Sequence, residues 1–167
     1  ITSDDLKIER FQRLIDKLNL SDDATRLSEL YVKFLSQGSF LYEDTKDLLD
    51  YLSKNYKLGI ITNGLADVHH KRIRDSAVGH YFDDVIISDE IKIAKPNPEI
   101  FEYALKSLNH DDKSSVLMVG DSLSSDIKGG LNASIDTCWC NLANKINNTD
   151  IVPKYEINNL LDLKNIL

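Results

Sequence analysis

The sequence predicts a doubly wound α/β core built on a parallel sheet, and three observations carry that reading. Short apolar runs recur at 58–62, 85–88 and 116–120, each ending in a turn or a polar residue. Stretches with helical spacing of apolar residues separate them. The third run closes on Gly120-Asp121, and a second aspartate, Asp126, stands at the start of the next helix. Runs this short, bounded by glycine, suit strands buried on both faces. In such sheets ligands gather at the carboxyl ends of the strands, where these polar residues fall.

Composition sets the frame. The 167 residues are 42% hydrophobic and 28% charged, which is ordinary for a globular domain large enough to bury a core. A net charge of −7, with no basic run, argues against a nucleic-acid partner. No stretch reads as a signal peptide or a membrane span, so the expectation is a cytoplasmic protein. Cys138 and Cys140 alternate with Thr137 and Trp139 and read as core strand residues; a lone C-x-C is a weak metal signal.

Taken in order, residues 2–19 form a first helix, with Thr2 as a cap and Phe11, Leu14, Ile15 and Leu18 on one face. A second helix runs from Ser21, with Leu27, Leu30, Tyr31, Phe34 and Leu35 as its stripe and Gly38 as its stop. The two make a helical hairpin packed on something else. A helix with Leu48, Leu49 and Leu52 leads into the strand at 58–62. The next helix carries Val68, Ile73 and Ala77 and stops at Gly79, before the strand at 85–88. Asn97 then caps a helix with Pro98 at its first position and Phe101, Ala104, Leu105 and Leu108 as its stripe. After the strand at 116–120 come a short helix with Ile127 and Leu131 and a strand near 137–140. An Asn-rich loop at 141–150, a strand at 155–157 and a C-terminal helix complete the chain.

Three groups of residues carry chemistry. Thr62-Asn63-Gly64 closes the first strand, where a hydroxyl and turn amides could hold a phosphate oxygen. By itself the triplet is also simply a good turn. Lys95-Pro96 lies in the loop after the second strand, where a lysine could neutralise a phosphoryl group; by itself it is a solvated loop. Gly120-Asp121 with Asp126 suits Mg²⁺, which takes oxygen ligands and only one or two protein carboxylates. Asp126 also suits a first helical turn on dipole grounds alone. His69 and His70 are neighbours on a helix and share no face, and His80 and His110 lie near helix ends, so none is a leading candidate.

Threonine after the first strand, lysine after the second and Gly-Asp after the third resemble the haloacid dehalogenase-like (HAD) superfamily. The likeness runs from residue 42 to the end. It looks closest to the pyrimidine 5′-nucleotidase branch, through 60–64, 94–97 with Ile100-Phe101, and 116–126 with Gly129-Gly130. The resemblance implies a Mg²⁺-dependent phosphatase acting on a small phosphorylated metabolite through an aspartyl-phosphate. It further implies that Thr62, Asn63 and Gly64 bind the phosphoryl group and that Lys95 steadies nucleophile and phosphate. Asp121 and Asp126 would form the metal site.

The family's first motif, Asp-x-Asp on an N-terminal strand, does not occur in these 167 residues. The expectation is therefore a HAD-type core at 40–167 lacking its first, central strand, with residues 1–39 as part of a helical cap. As such, the chain would be inactive by itself. The strands at 58–62 and 116–120 would face a gap, pair directly or recruit a strand from elsewhere, and open edges of this kind invite self-association. Two alternatives stand beside the phosphatase: a haloacid dehalogenase, and a non-catalytic fragment that binds Mg²⁺ or phosphate or self-associates.

Overall fold

The structure is a computed structural model that describes residues 3–167. The chain opens with a helical hairpin, α1 (Ser3–Leu18) and α2 (Ala24–Gln37), and the cap expected at Thr2 lies outside the described residues. α2 begins later than Ser21 because Asp23 is the residue that caps it: its carboxylate accepts from the Thr25 and Arg26 N–H groups. Ile15, Ala24, Ser28 and Ser36 are buried in the hairpin, whereas Phe34 is 63% exposed and Leu14, Leu18 and Tyr31 are exposed as well. Four of the nine expected stripe residues are therefore exposed. On that outer side the Arg10 guanidinium lies 4.4 Å from the Tyr31 ring centre, a cation–π contact. α2 rests on the helix that follows the first strand, and the Arg72 Nε donates to the Gly38 carbonyl at 2.7 Å.

The core alternates strand and helix as expected. α3 (Thr45–Leu52) leads to β1 (Gly59–Thr62), α4 (Ala66–Arg74) and β2 (Asp84–Ile87). Next come a short α5 (Ser88–Ile91), α6 (Glu99–Ser107), β3 (Leu117–Gly120), α7 (Lys128–Asn132), β4 (Asp136–Cys140) and β5 (Tyr155–Ile157). All pairings are parallel. β1 pairs with β2, placing Thr62 opposite Ile87. β3, β4 and β5 form a second sheet, with Gly120 opposite Trp139 and Cys138 opposite Tyr155. Among the described residues no ladder joins the two sheets, so β1 and β3 each keep an open edge and do not pair directly.

Side chains do the joining. On one face Ile86, Ile100, Phe101, Ala104 and Ile135 form a buried cluster, with Ile61 of β1 and Met118 of β3 packed against it. α6 thus bridges both sheets. On the other face Leu48 and Leu52 of α3 meet Cys138, Ile157 and Leu163, with Leu58 and Leu117 against them. Helices on both faces of a parallel sheet make the layering doubly wound.

Several local expectations are corrected. α6 starts at Glu99, one residue later than Pro98 would give, although the Asn97 side chain still accepts from the Glu99 N–H at 3.0 Å. Ala77 lies beyond the end of α4, and Leu131 is exposed. The C-terminal segment Leu160–Asn165 is a 3₁₀ rather than an α-helix. The reason is spacing: Leu160, Leu163 and Ile166 all pack on the second cluster, and residues three apart align on a three-residue turn.

The Asn-rich loop is tied down. Asn141 is buried; its amide donates to the Lys145 carbonyl and to Glu156 Oε1, while its Oδ1 accepts from the Lys145 N–H. Asn147 Nδ2 donates to the Ile151 carbonyl at 2.8 Å, closing a second ring.

Candidate active site

Lys95 holds the site together. Its side chain is 8% exposed, and its ammonium lies 2.8 Å from Asp126 Oδ1, whose side chain is 7% exposed. The same ammonium donates to the Ile61 carbonyl in β1. One lysine therefore links the sheet that holds β1 to the loop after β3. Its backbone is held too: Lys95 N–H donates to Asn63 Oδ1, and Asn63 Nδ2 donates to the Lys95 carbonyl, each at 2.8 Å. The Lys95-Pro96 peptide bond is cis.

Asp126 sits in a π-helical turn, Leu123–Ile127, that follows β3. Its Oδ2 accepts from the Ser122 N–H at 3.0 Å, and the Ser122 hydroxyl accepts from the Ser125 N–H at 3.3 Å. Ser122 and Asp126 thus fix the helix start reciprocally. The carboxylate rests on Gly120: a Cβ there would lie 2.4 Å from Asp126 Oδ2 and 2.5 Å from Cγ. The glycine before Asp121 is required by this contact.

Asp121 is different. Its side chain is exposed, and among the described residues no ion pair or side-chain hydrogen bond engages its carboxylate. Its backbone is fixed by Trp139, whose indole N–H donates to the Asp121 carbonyl at 3.0 Å. Gly120 and Asp121 line a cleft of about 440 Å³ with Tyr42, Val119, Asn141 and Lys145. Among the described residues no three His, Cys, Asp or Glu side chains converge on one point. Mg²⁺ takes as few as one protein carboxylate and completes its shell with water and substrate phosphate, so Asp121 fits it as a single ligand.

At the end of β1, Thr62 Oγ1 lies 3.4 Å from His69 Nδ1. The His69 ring covers the turn so closely that a Cβ on Gly64 would stand 2.1 Å from its Nε2. Burial first, and then the charges of Arg72, Lys95 and His70, holds the His69 ring below its ordinary pKa.

Thr62, Asn63, Gly64 and Asp126 are thus gathered around Lys95 at the carboxyl ends of β1 and β3, whereas Asp121 faces a cleft lined by other residues. The Asn63 side chain is committed to Lys95, which leaves its backbone N–H as the group available to a ligand. Asp126 is likewise committed to Lys95. His69, Ser122 and Trp139 belong to the site although sequence reasoning passed over them. The one available signal was position: His69 lies in the first turns of the helix after Thr62-Asn63-Gly64, where a side chain can fold back over the turn.

This arrangement defines a doubly wound α/β protein whose ionisable residues gather at the carboxyl ends of parallel strands. The chain belongs to the haloacid dehalogenase-like hydrolases, whose sequence profile matches residues 5–140. It is 36% identical over its whole length to YfnB of Bacillus subtilis (strain 168), named as a HAD-hydrolase, and covers 71% of that protein. It is 36% identical to the pyrimidine 5′-nucleotidase YjjG of Escherichia coli (strain K12), again over the whole chain and 73% of the relative. The pyrimidine 5′-nucleotidase PynA of Streptococcus pneumoniae is 35% identical, with 100% of this chain and 73% of the relative covered. A crystal structure of YfnB bound to magnesium superposes with a TM-score of 0.91, covering all of this chain and 73% of that one. The expected family and the α/β fold are borne out. No helix among the described residues is long and apolar enough to cross a membrane.

Proposed function

We propose that this chain carries the phosphate-binding and metal-binding half of a Mg²⁺-dependent phosphomonoesterase whose substrate is a pyrimidine nucleoside monophosphate. The observation that carries the reading is Lys95, buried, ion-paired with Asp126 after β3 and donating to the Ile61 carbonyl of β1. The two pyrimidine 5′-nucleotidases among the relatives support the substrate class.

In this reading the Thr62 hydroxyl and the Asn63 N–H donate to phosphoryl oxygens, and Lys95 offsets the charge that accumulates on them. Gly64 lets the turn approach closely. Asp121 would hold Mg²⁺, with Asp126 supporting that site from its ion pair. The ion, when bound, would neutralise phosphate charge and polarise the ester for attack. The magnesium-bound structure of YfnB supports this choice of metal. The attacking carboxylate and the general acid/base of the family's Asp-x-Asp motif are not among these 167 residues. Loss of such a group lowers rates by many powers of ten. The expectation is that these residues alone bind phosphate and do not turn it over.

The test is phosphate release from uridine and thymidine monophosphates with and without Mg²⁺, paired with titration of the chain by inorganic phosphate. Binding without turnover is expected. Mg²⁺-dependent turnover would show that a residue present here attacks, and absence of any phosphate binding would remove the proposed site.

A further inference from the structure

We infer that His69 is a positioning residue for the phosphate pocket: its Nδ1–H donates to Thr62 Oγ1, which aims the threonine's own hydrogen at the bound phosphoryl oxygen. The inference rests on the phosphate-binding reading of Thr62 given above. A threonine hydroxyl has one hydrogen to donate and two lone pairs with which to accept. If His69 accepted from Thr62, that hydrogen would be spent within the protein. If His69 donates, the hydrogen is left for the ligand.

Two features select the donating tautomer. The Nε2 edge of the ring packs on the α-carbon of Gly64, where a Cβ would meet Nε2 at 2.1 Å. An aliphatic carbon can lie against a lone pair but cannot accept a hydrogen bond, so the ring proton belongs on Nδ1, facing Thr62. Burial of the ring first, and then the charges of Arg72 and Lys95, favour a neutral imidazole with a single proton to place. The 3.4 Å separation is longer than the usual 2.9–3.0 Å, so the inference requires the bond to shorten when phosphate binds. As Thr62 donates to an anion, its oxygen becomes a better acceptor, and the His69 and phosphate bonds strengthen together. Gly64 acquires a second reason to be glycine: any side chain there would push the ring off Thr62.

The test uses the chain with inorganic phosphate as the probe. Nitrogen chemical shifts of the His69 ring are expected to show Nδ1 protonated, and the Nδ1 signal is expected to move on phosphate addition. An Nε2-protonated ring would overturn the inference at once. Phosphate affinity then separates the remaining outcomes. His69→Phe keeps a ring over Gly64 without the donor and is expected to weaken binding about fivefold, the typical effect of one hydrogen bond. His69→Asn, whose amide can stand in for Nδ1–H, is expected to stay within about twofold of the parent. Equal losses in both variants would mean that His69 only packs, and unchanged binding in His69→Phe would mean that it does nothing for the ligand; either result overturns the relay. Thr62→Val marks the underlying reading. If it leaves phosphate binding intact, the pocket itself is misplaced; if it weakens binding while His69→Phe does not, the pocket stands and only the relay falls.

Discussion

Lys95 and Asp126 offer the sharpest test of the energetics. Two opposite charges 2.8 Å apart attract by about 6 kcal/mol at an effective dielectric constant of 20, before desolvation of both is subtracted. Their side chains are 8% and 7% exposed, so water cannot readily replace a lost partner. Lys95→Met leaves the Asp126 carboxylate with the Ser122 N–H and the Ser125 hydroxyl, a partial set of donors for a full charge. Asp126→Asn leaves the ammonium with the Ile61 carbonyl and turns an amide toward it. Each single change is expected to destabilise the fold by about 3 kcal/mol, because it strands a buried charge. The double variant strands none and is expected to lose about 4 kcal/mol or less, well short of the sum. Urea unfolding followed by the fluorescence of Trp139, the sole tryptophan, measures all four corners of the cycle. Losses that add to within about 0.5 kcal/mol would refute the reasoning, since uncoupled residues behave that way.

Further outcomes follow from neighbouring contacts. Gly120→Ala drives a methyl group to within 2.4 Å of the Asp126 carboxylate. It is expected to cost about 2 kcal/mol, or roughly 4–8 °C of melting temperature. Gly38→Ala meets only the Leu35 carbonyl at 3.7 Å and is expected to be silent; equal melting temperatures for the two variants would contradict the packing argument. Cys138 is fully buried, with its thiol pushed up from 9.0 to about 11 chiefly by burial; burial and then the charge of Asp121 raise Cys140 as well. A raised thiol pKa means less thiolate at any pH below it. At pH 8 Cys138 holds about a hundredth of the thiolate of an ordinary cysteine, so it is expected to react with a disulfide reagent only after unfolding, unlike Cys140, which lines the cleft. Two thiols that titrate within seconds in the native protein would overturn this. Mg²⁺ is expected to raise the melting temperature of the parent chain and not of Asp121→Ala, whereas an equal rise in both would place the ion elsewhere.

The strands and the chemical residues were legible because both are written locally. An apolar run that ends in Gly-Asp marks a buried strand and its carboxyl end whatever it packs against. Partners across the chain were not legible. Thr62-Asn63-Gly64 reads as a turn, yet nothing nearby in sequence says that the Asn63 side chain will clasp the backbone of Lys95, 32 residues on. His69 was passed over for a related reason: adjacency to His70 on a helix says that the two diverge, not that one of them folds back over Gly64. The helical stripes misled in another way. Spacing gives the face on which Tyr31 and Phe34 lie, but whether anything covers that face depends on the rest of the assembly, and here both are exposed. At the C-terminus the period of three in Leu160, Leu163 and Ile166 suits an α-helix as well, since residues three apart share a face there too.

The loop that begins at Asn141 has a consequence for ligand capture. It lines the same cleft as Asp121, and a ten-residue polar segment there would ordinarily act as a slow gate. With Asn141 buried and bonded on both sides of its amide, and Asn147 closing the second ring, the backbone of this wall is set when the chain folds. A ligand arriving at Asp121 thus meets a finished surface, and the conformational entropy of ordering the loop does not subtract from its affinity.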